Sequence, residues 1–211
     1  MDLPTMRARL RADLRDEDAA NERWSDDTLD RHIARAVQEL SLAAPREATA
    51  TLEADGTTRD LDIATLADRV TIEAVEYPTS QYPPAYPPFS VWGDTLTLLV
   101  DAAPGDGESV LVYWRALHTI DPSGSTVPAW AERLMVQGAA GYAALEWASL
   151  ATNRVNVGGE ETWRRYLEWG KERLAAFHQG LDGLRRRQGL RSRQLYTPAA
   201  GKPGQSTDWG P

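Results

Sequence analysis

Groups able to do chemistry are few in this chain and scattered. Its three histidines, His32, His118 and His178, fall in unrelated local patterns. No second histidine or carboxylate stands at a helical metal-ligand spacing from His32, and a lone histidine beside an apolar stripe reads as a surface or boundary residue. Acyl transfer needs a nucleophile, a base and an oxyanion hole, and no G-x-S-x-G stretch supplies the first of these. Phosphate-cradling glycine loops are also absent: Gly105-Asp106-Gly107 separates two alternating segments and reads as a hairpin turn. Of the carboxylate pairs, Glu160-Glu161 lies where a helix begins, and acidic residues there stabilise by about 0.3–1 kcal/mol. Asp60 and Asp62 share one face of a short strand, which reads as a solvated face; a Ca²⁺ or Mg²⁺ site with distant ligands is the competing reading. With no cysteine anywhere, thiol nucleophiles, disulfides, zinc ribbons and iron–sulfur clusters are excluded. The expectation is of no catalytic residue, no metal and no cofactor, with a carboxylate- or metal-dependent enzyme assembled from distant positions as the alternative.

The densest charge is RRRQGLRSR, residues 185 to 193, carrying Arg185, Arg186, Arg187, Arg191 and Arg193. It has three readings: a solvated helix terminus whose cations complement the macrodipole, a contact for an acidic protein partner, or a contact for nucleic acid. The formal charge of −8 argues against a general nucleic-acid binder, which gains affinity by releasing counterions from a basic surface. No stretch has the apolar length of a signal peptide or a membrane span, so a soluble, intracellularly made protein is expected.

The elements that must position these groups are written in periodicity. RWSDDTLDRHIARAVQELSLAAP, residues 23 to 45, has Ser25 as an N-cap, Asp26 and Asp27 in the first turn, and Pro45 as a stop. Trp24 and Leu29 flank the cap at the positions of a hydrophobic staple. Leu29, Ile33, Val37 and Leu40 make one stripe, and an earlier helix carries Met6, Leu10 and Leu14. From Thr49 to Leu117 the period is two, with Asp55-Gly56 reading as a hairpin and Gly93-Asp94 as a turn. YPTSQYPPAYPPF, residues 77 to 89, has too few backbone donors for a central strand and reads as a stiff, tyrosine-packed loop. Helix returns at Pro128. A second long helix from about Glu160 places Trp163, Leu167, Gly170, Leu174, Phe177, Leu181 and Leu184 on one face.

These patterns predict an α+β chain: N-terminal helices over 1–46, an inserted small antiparallel β-domain over 47–118, and a long helical hairpin over 119–187 completing a helical bundle. An extended C-terminal arm, 188–211, reaches roughly 70–80 Å at about 3.3 Å per residue. Leu195, Tyr196 and Trp209 give the arm apolar anchors that a solvating tail does not need. Together with the arginines they form the expected partner-binding set, because aromatic residues and arginine dominate interface hot spots.

The helix pair LRADLRDED…RWSDDTLDRHIARAVQELS, with the later hairpin and extended C-terminus, resembles the head-to-tail adaptor (connector) proteins of tailed bacteriophages and prophages. The resemblance covers roughly residues 3–45 and 127–187. It implies a non-enzymatic virion neck protein, made in the host bacterial cytoplasm. It further implies a homo-oligomeric ring, a dodecamer in that family, docked beneath the portal protein. The ring would meet a tail-side neck or tail-terminator protein and surround channel DNA, with passive DNA contact at most and no membrane. By position, residues 188 to 211 would be the segment that inserts into the portal or a neighbouring subunit. A tail terminator or head-completion protein is the alternative within the same kind of particle.

Overall fold

The computed structural model describes residues 1–151 and 162–191, without the side chains of 151 and 188–191. Helix α1, Leu3–Leu14, begins where Asp2 accepts the Thr5 N–H at 2.9 Å, with proline in its first turn. It ends in a Schellman motif: Asp16 N–H reaches Arg11 O at 2.9 Å and Arg15 N–H reaches Ala12 O at 3.2 Å, with Arg15 left-handed at φ 56°. Helix α2, Asp26–Ala43, is capped by Ser25, whose Oγ accepts the Thr28 N–H at 3.3 Å. Helix α3 spans Ala129–Ala151, and α4 spans Thr162–Arg191. The 30 residues of α4 extend about 45 Å at 1.5 Å each.

The end of α4 corrects the expectation of helix to 187 and an extended arm from 188. Residues 188–191 are helical, and Arg191 is the last described residue of α4. Gln, Leu and Arg are good helix formers, a single Gly189 costs only about 1 kcal/mol, and no proline stands before Pro198 to stop the helix.

The chain divides into two units. The first comprises Met1–Ala48, Ala67–Thr71 and Arg115–Gly189 and holds the four described helices, α4 as far as Gly189. Met6, Leu10 and Leu14 of α1 join Trp24, the α2 stripe of Leu29, Ile33, Val37 and Leu40, Met135 of α3, and Phe177 and Leu181 of α4 in one buried cluster. Small residues let α3 and α4 close up: a methyl group on Gly138 would stand 2.9 Å from the Phe177 ring, and one on Gly141 would stand 3.1 Å from Gly170 O.

The described part of the second unit is Thr49–Leu66, Ile72–Trp114 and the backbone of 190–191. Across the chain, β1 (Arg46–Asp55), β3 (Arg69–Glu76) and β6 (Asp106–Ala116) form a sheet with β6 in the middle. β2 (Asp60–Asp62), β4 (Phe89–Trp92) and β5 (Thr95–Leu98) form an antiparallel sheet ordered β2-β5-β4, with Leu61 opposite Leu96 and Val91 on its other side. In the helical unit, β7 (Ile120–Asp121) and β8 (Gly124–Ser125) make a minimal ladder.

Gly93-Asp94 is a two-residue hairpin joining Trp92 to Thr95, with Gly93 at φ 59°. Asp55-Gly56 is not a hairpin, because β1 pairs with β6 and β2 with β5. Asp55 Oδ1 accepts the N–H groups of Thr57 and Thr58 at 2.9 and 3.0 Å, so the pair turns a corner between sheets. Gly105–Gly107 likewise links strands of different sheets rather than closing a hairpin. The expected 77–89 loop runs over 77–88, Phe89 opening β4; it is tied by Tyr77 Oη donating to Glu108 Oε2 at 2.6 Å and by an edge contact of Tyr86 with Tyr113, and Tyr82 stands 97% exposed.

Candidate functional site

The expected partner-binding residues divide by position. Arg185, Arg186 and Arg187 stand exposed on the last turns of α4, with Arg185 donating to Asp182 Oδ1 at 2.9 Å, one turn back. Arg191 contributes only its helical backbone. Arg193, Leu195, Tyr196 and Trp209 lie outside the described residues, as do Glu160 and Glu161. Trp24, Ser25 and Leu29 gather at the start of α2. There Trp24 is buried, donates from Nε1 to Ala143 O at 3.2 Å, and meets the Tyr166 ring edge-on at 6.2 Å.

Around that tryptophan runs a charged knot that spacing did not signal. Asp16 is 4% exposed; it accepts from Arg11 Nη1 at 2.8 Å and from the Arg23 N–H at 2.8 Å. Arg11 also donates to Trp24 O at 3.1 Å and to Asp26 Oδ1 at 2.7 Å, and that guanidinium hydrogen bond holds the Asp26 carboxyl below the usual range. Arg7 forks onto both oxygens of Asp30 at 2.8 and 2.6 Å, which raises its own pKa. Arg11 and Asp16 pair within α1 and the turn after it, and the other bonds carry that pair and Arg7 across to α2 and the residues just before it. Together they fix how the two helices cross.

The histidines prove more engaged than their local patterns promised. His32 is buried rather than at the surface or boundary; Nε2 lies 2.7 Å from Glu146 Oε2 of α3, near but not aligned as a hydrogen bond, and the ring stacks on Tyr142. Burial pushes its pKa down, with Glu146 opposing. Half-exposed His178 reaches Glu39 Oε2 at 3.3 Å, and Tyr142 Oη donates to Glu39 Oε1 at 2.5 Å. A Glu–His–Tyr group has the residue types of acid–base chemistry, but here the tyrosine proton is held: burial and Glu39 push Tyr142 up to about 12, and the Arg35 guanidinium covers its ring at 3.8 Å. The group ties α2, α3 and α4 together.

His118 forms a second tie, its ring nitrogens 2.9 Å from Thr126 O and 3.0 Å from Ala44 O. Its own N–H donates to the buried Ser41 Oγ at 2.9 Å. Asp60 and Asp62 are both exposed, with Asp60 accepting from Thr97 Oγ1 at 2.5 Å and Asp62 from the Ala64 N–H at 2.8 Å. Among the described residues, no three His, Asp or Glu side chains gather as metal ligands, and no helix is long and apolar enough to cross a membrane. Asp16, Glu39, Tyr142 and Glu146 escaped sequence reasoning because their partners come from other elements, and only chain reversal brings them together.

The chain matches no protein-family model and no curated protein. It is similar to a chain in the neck of an empty gene transfer agent particle computed with C6 symmetry, at 13% identity over 80% of this chain and 88% of that one, with a TM-score of 0.31. A chain in the virion of a native gene transfer agent particle shows 16% identity, coverage of 80% and 87%, and a TM-score of 0.30. One in the neck of the native particle computed with C12 symmetry shows 17%, 77% and 86%, and 0.28. At these TM-scores, the chain's own residues must carry any argument about function.

Proposed function

We infer that this chain is a structural component of the neck of a tailed phage or phage-like particle, and within that class a head-to-tail adaptor. In this reading it forms a homo-oligomeric ring beneath the portal, with a tail-side neck or tail-terminator protein below and channel DNA passing through. The observation that carries the reading is the helical unit. Asp16, Glu39 and Trp24 in it fix helix against helix, while α4 carries exposed Arg185, Arg186 and Arg187 toward the 188–211 segment. Rigid bodies that end in cationic and aromatic groups suit assembly, where such groups supply interface anchors. The Trp-Ser-Asp-capped helix pair, through its resemblance to adaptors, supports the same class. The gene transfer agent chains come from the same kind of assembly, but they add no weight at their TM-scores.

Cryo-electron microscopy of mature particles, and of tail-less DNA-filled heads mixed with purified protein, tests the reading. A ring of density at the portal vertex that accommodates α1–α4 is the expected result. Absence from that vertex in both samples would overturn it, and density at the tail end would favour a tail terminator.

A further inference from the structure

Two cavities in the helical unit meet at Arg173 of α4. The first, about 400 Å³, is lined by Arg15, Arg165, Tyr166 and Trp169. Arg9, Arg133, Val136 and Gln137 line the second, of about 550 Å³, and both touch Asp13 and Arg173. Each volume lies within the roughly 300–1,000 Å³ of sites that hold ligands. Among the described residues, five arginines and one aspartate line the two cavities, in a chain whose formal charge is −8. Internal pairing neutralises little of this: Arg9 reaches Glu132 at 3.2 Å, Arg173 stands 3.9 Å from Asp13, and among the described residues Arg15, Arg133 and Arg165 have no ion pair. Arg173 lies 4.8 Å over the Trp169 ring, an arrangement that holds the guanidinium by its flat face.

Arg15 adds an independent sign. It occupies the left-handed C′ position of α1, where glycine fits without strain and a side chain does not. A side chain standing at such a position against local backbone preference points to a use for it.

We propose that this groove binds an acidic peptide segment of a partner protein, with side-chain carboxylates on Arg15, Arg165 and Arg173 and an apolar or aromatic side chain against Tyr166 and Trp169. Guanidinium forks pair with carboxylates in two-point geometry. A short acidic segment also needs only a local patch of positive charge, whereas a polynucleotide must run along the surface of a net acidic chain. The proposal stands on the groove alone and does not depend on the particle-neck reading.

Fluorescence anisotropy with the full-length protein tests it, using fluorescein-labelled Glu-Asp-Glu-Phe-Glu-Asp and, separately, fluorescein-labelled hexathymidylate. Saturable peptide binding is expected, weakened at least tenfold by Arg165→Glu and by Arg15→Gly. Reversal of Lys171 to Glu, at an exposed α4 position outside both cavity linings, should leave it unchanged. Arg15→Gly carries the second readout: it relieves the left-handed strain, so its melting temperature should hold or rise while binding falls, a combination that a purely structural arginine does not give. No saturable peptide binding, binding indifferent to both groove variants, or tighter binding of hexathymidylate than of peptide would each overturn the proposal.

Discussion

At the scale of single residues, the polar groups of the helical unit act through partners supplied by other helices. His32 shows what this does to a titratable group. Burial lowers its pKa below the ordinary 6.5, Glu146 pulls the other way, Arg31 and Arg35 reinforce the lowering, and Tyr142 covers the ring. The unfolded chain then binds a proton at a pH where the folded chain does not, so stability rises with pH across that interval. The contribution is complete above about 6.5 and is lost as pH falls through that value toward the folded one. Thermal melts at pH 7.5 and 5.5 should therefore show a larger loss for the natural chain than for His32→Gln. Equal losses in the two would mean that the buried imidazole does not govern this window.

Among elements, the α3–α4 contact turns on the absence of side chains. Gly138 faces the fully buried Phe177 ring, whereas Gly183, also in a helix, has nothing within 4 Å of a built methyl group. The two positions should answer the same substitution with opposite signs. Gly183→Ala gains helix propensity and should stabilise by about 0.5–1 kcal/mol. At Gly138 that gain is outweighed by overpacking of about 1–3 kcal/mol, leaving a net loss of about 1 kcal/mol. Urea unfolding of both variants checks this, and a stabilised Gly138→Ala would show that the helices can part at little cost. Such close approach was partly legible, since the Gly and Ala residues of α3 recur at helical spacing. Which ring fills the gap was not, because it belongs to the other helix.

For the whole molecule, the decisive question is whether the residues after α4 belong to the fold or to the assembly. The described helical core closes without them, on residues no later than Leu184. Removing residues 192–211 should leave the far-ultraviolet circular dichroism and the melting temperature of the natural chain essentially unchanged, while abolishing incorporation into particles or rings. A truncated protein that fails to fold would instead make that segment part of the structure. Truncation after Arg191, not after 187, is the cleaner cut, because the helix runs to that residue.

The sequence by itself determined the elements whose signals are local. Ser25 caps the helix it begins, Pro45 follows the helix it ends, apolar residues recur at the helical period in α2 and α4, and Gly93-Asp94 turns a hairpin between adjacent strands. Each depends on residues within a few positions of one another, where backbone sterics and hydrogen bonding act directly. Tertiary structure alone decided which strands pair across the Asp55 corner, that His32 meets Glu146, and that Arg15, Arg165 and Arg173 line one cavity. Those outcomes join positions far apart in the chain, and no local preference specifies them. They follow from how the apolar faces close on one another and from which charges are left at their margins.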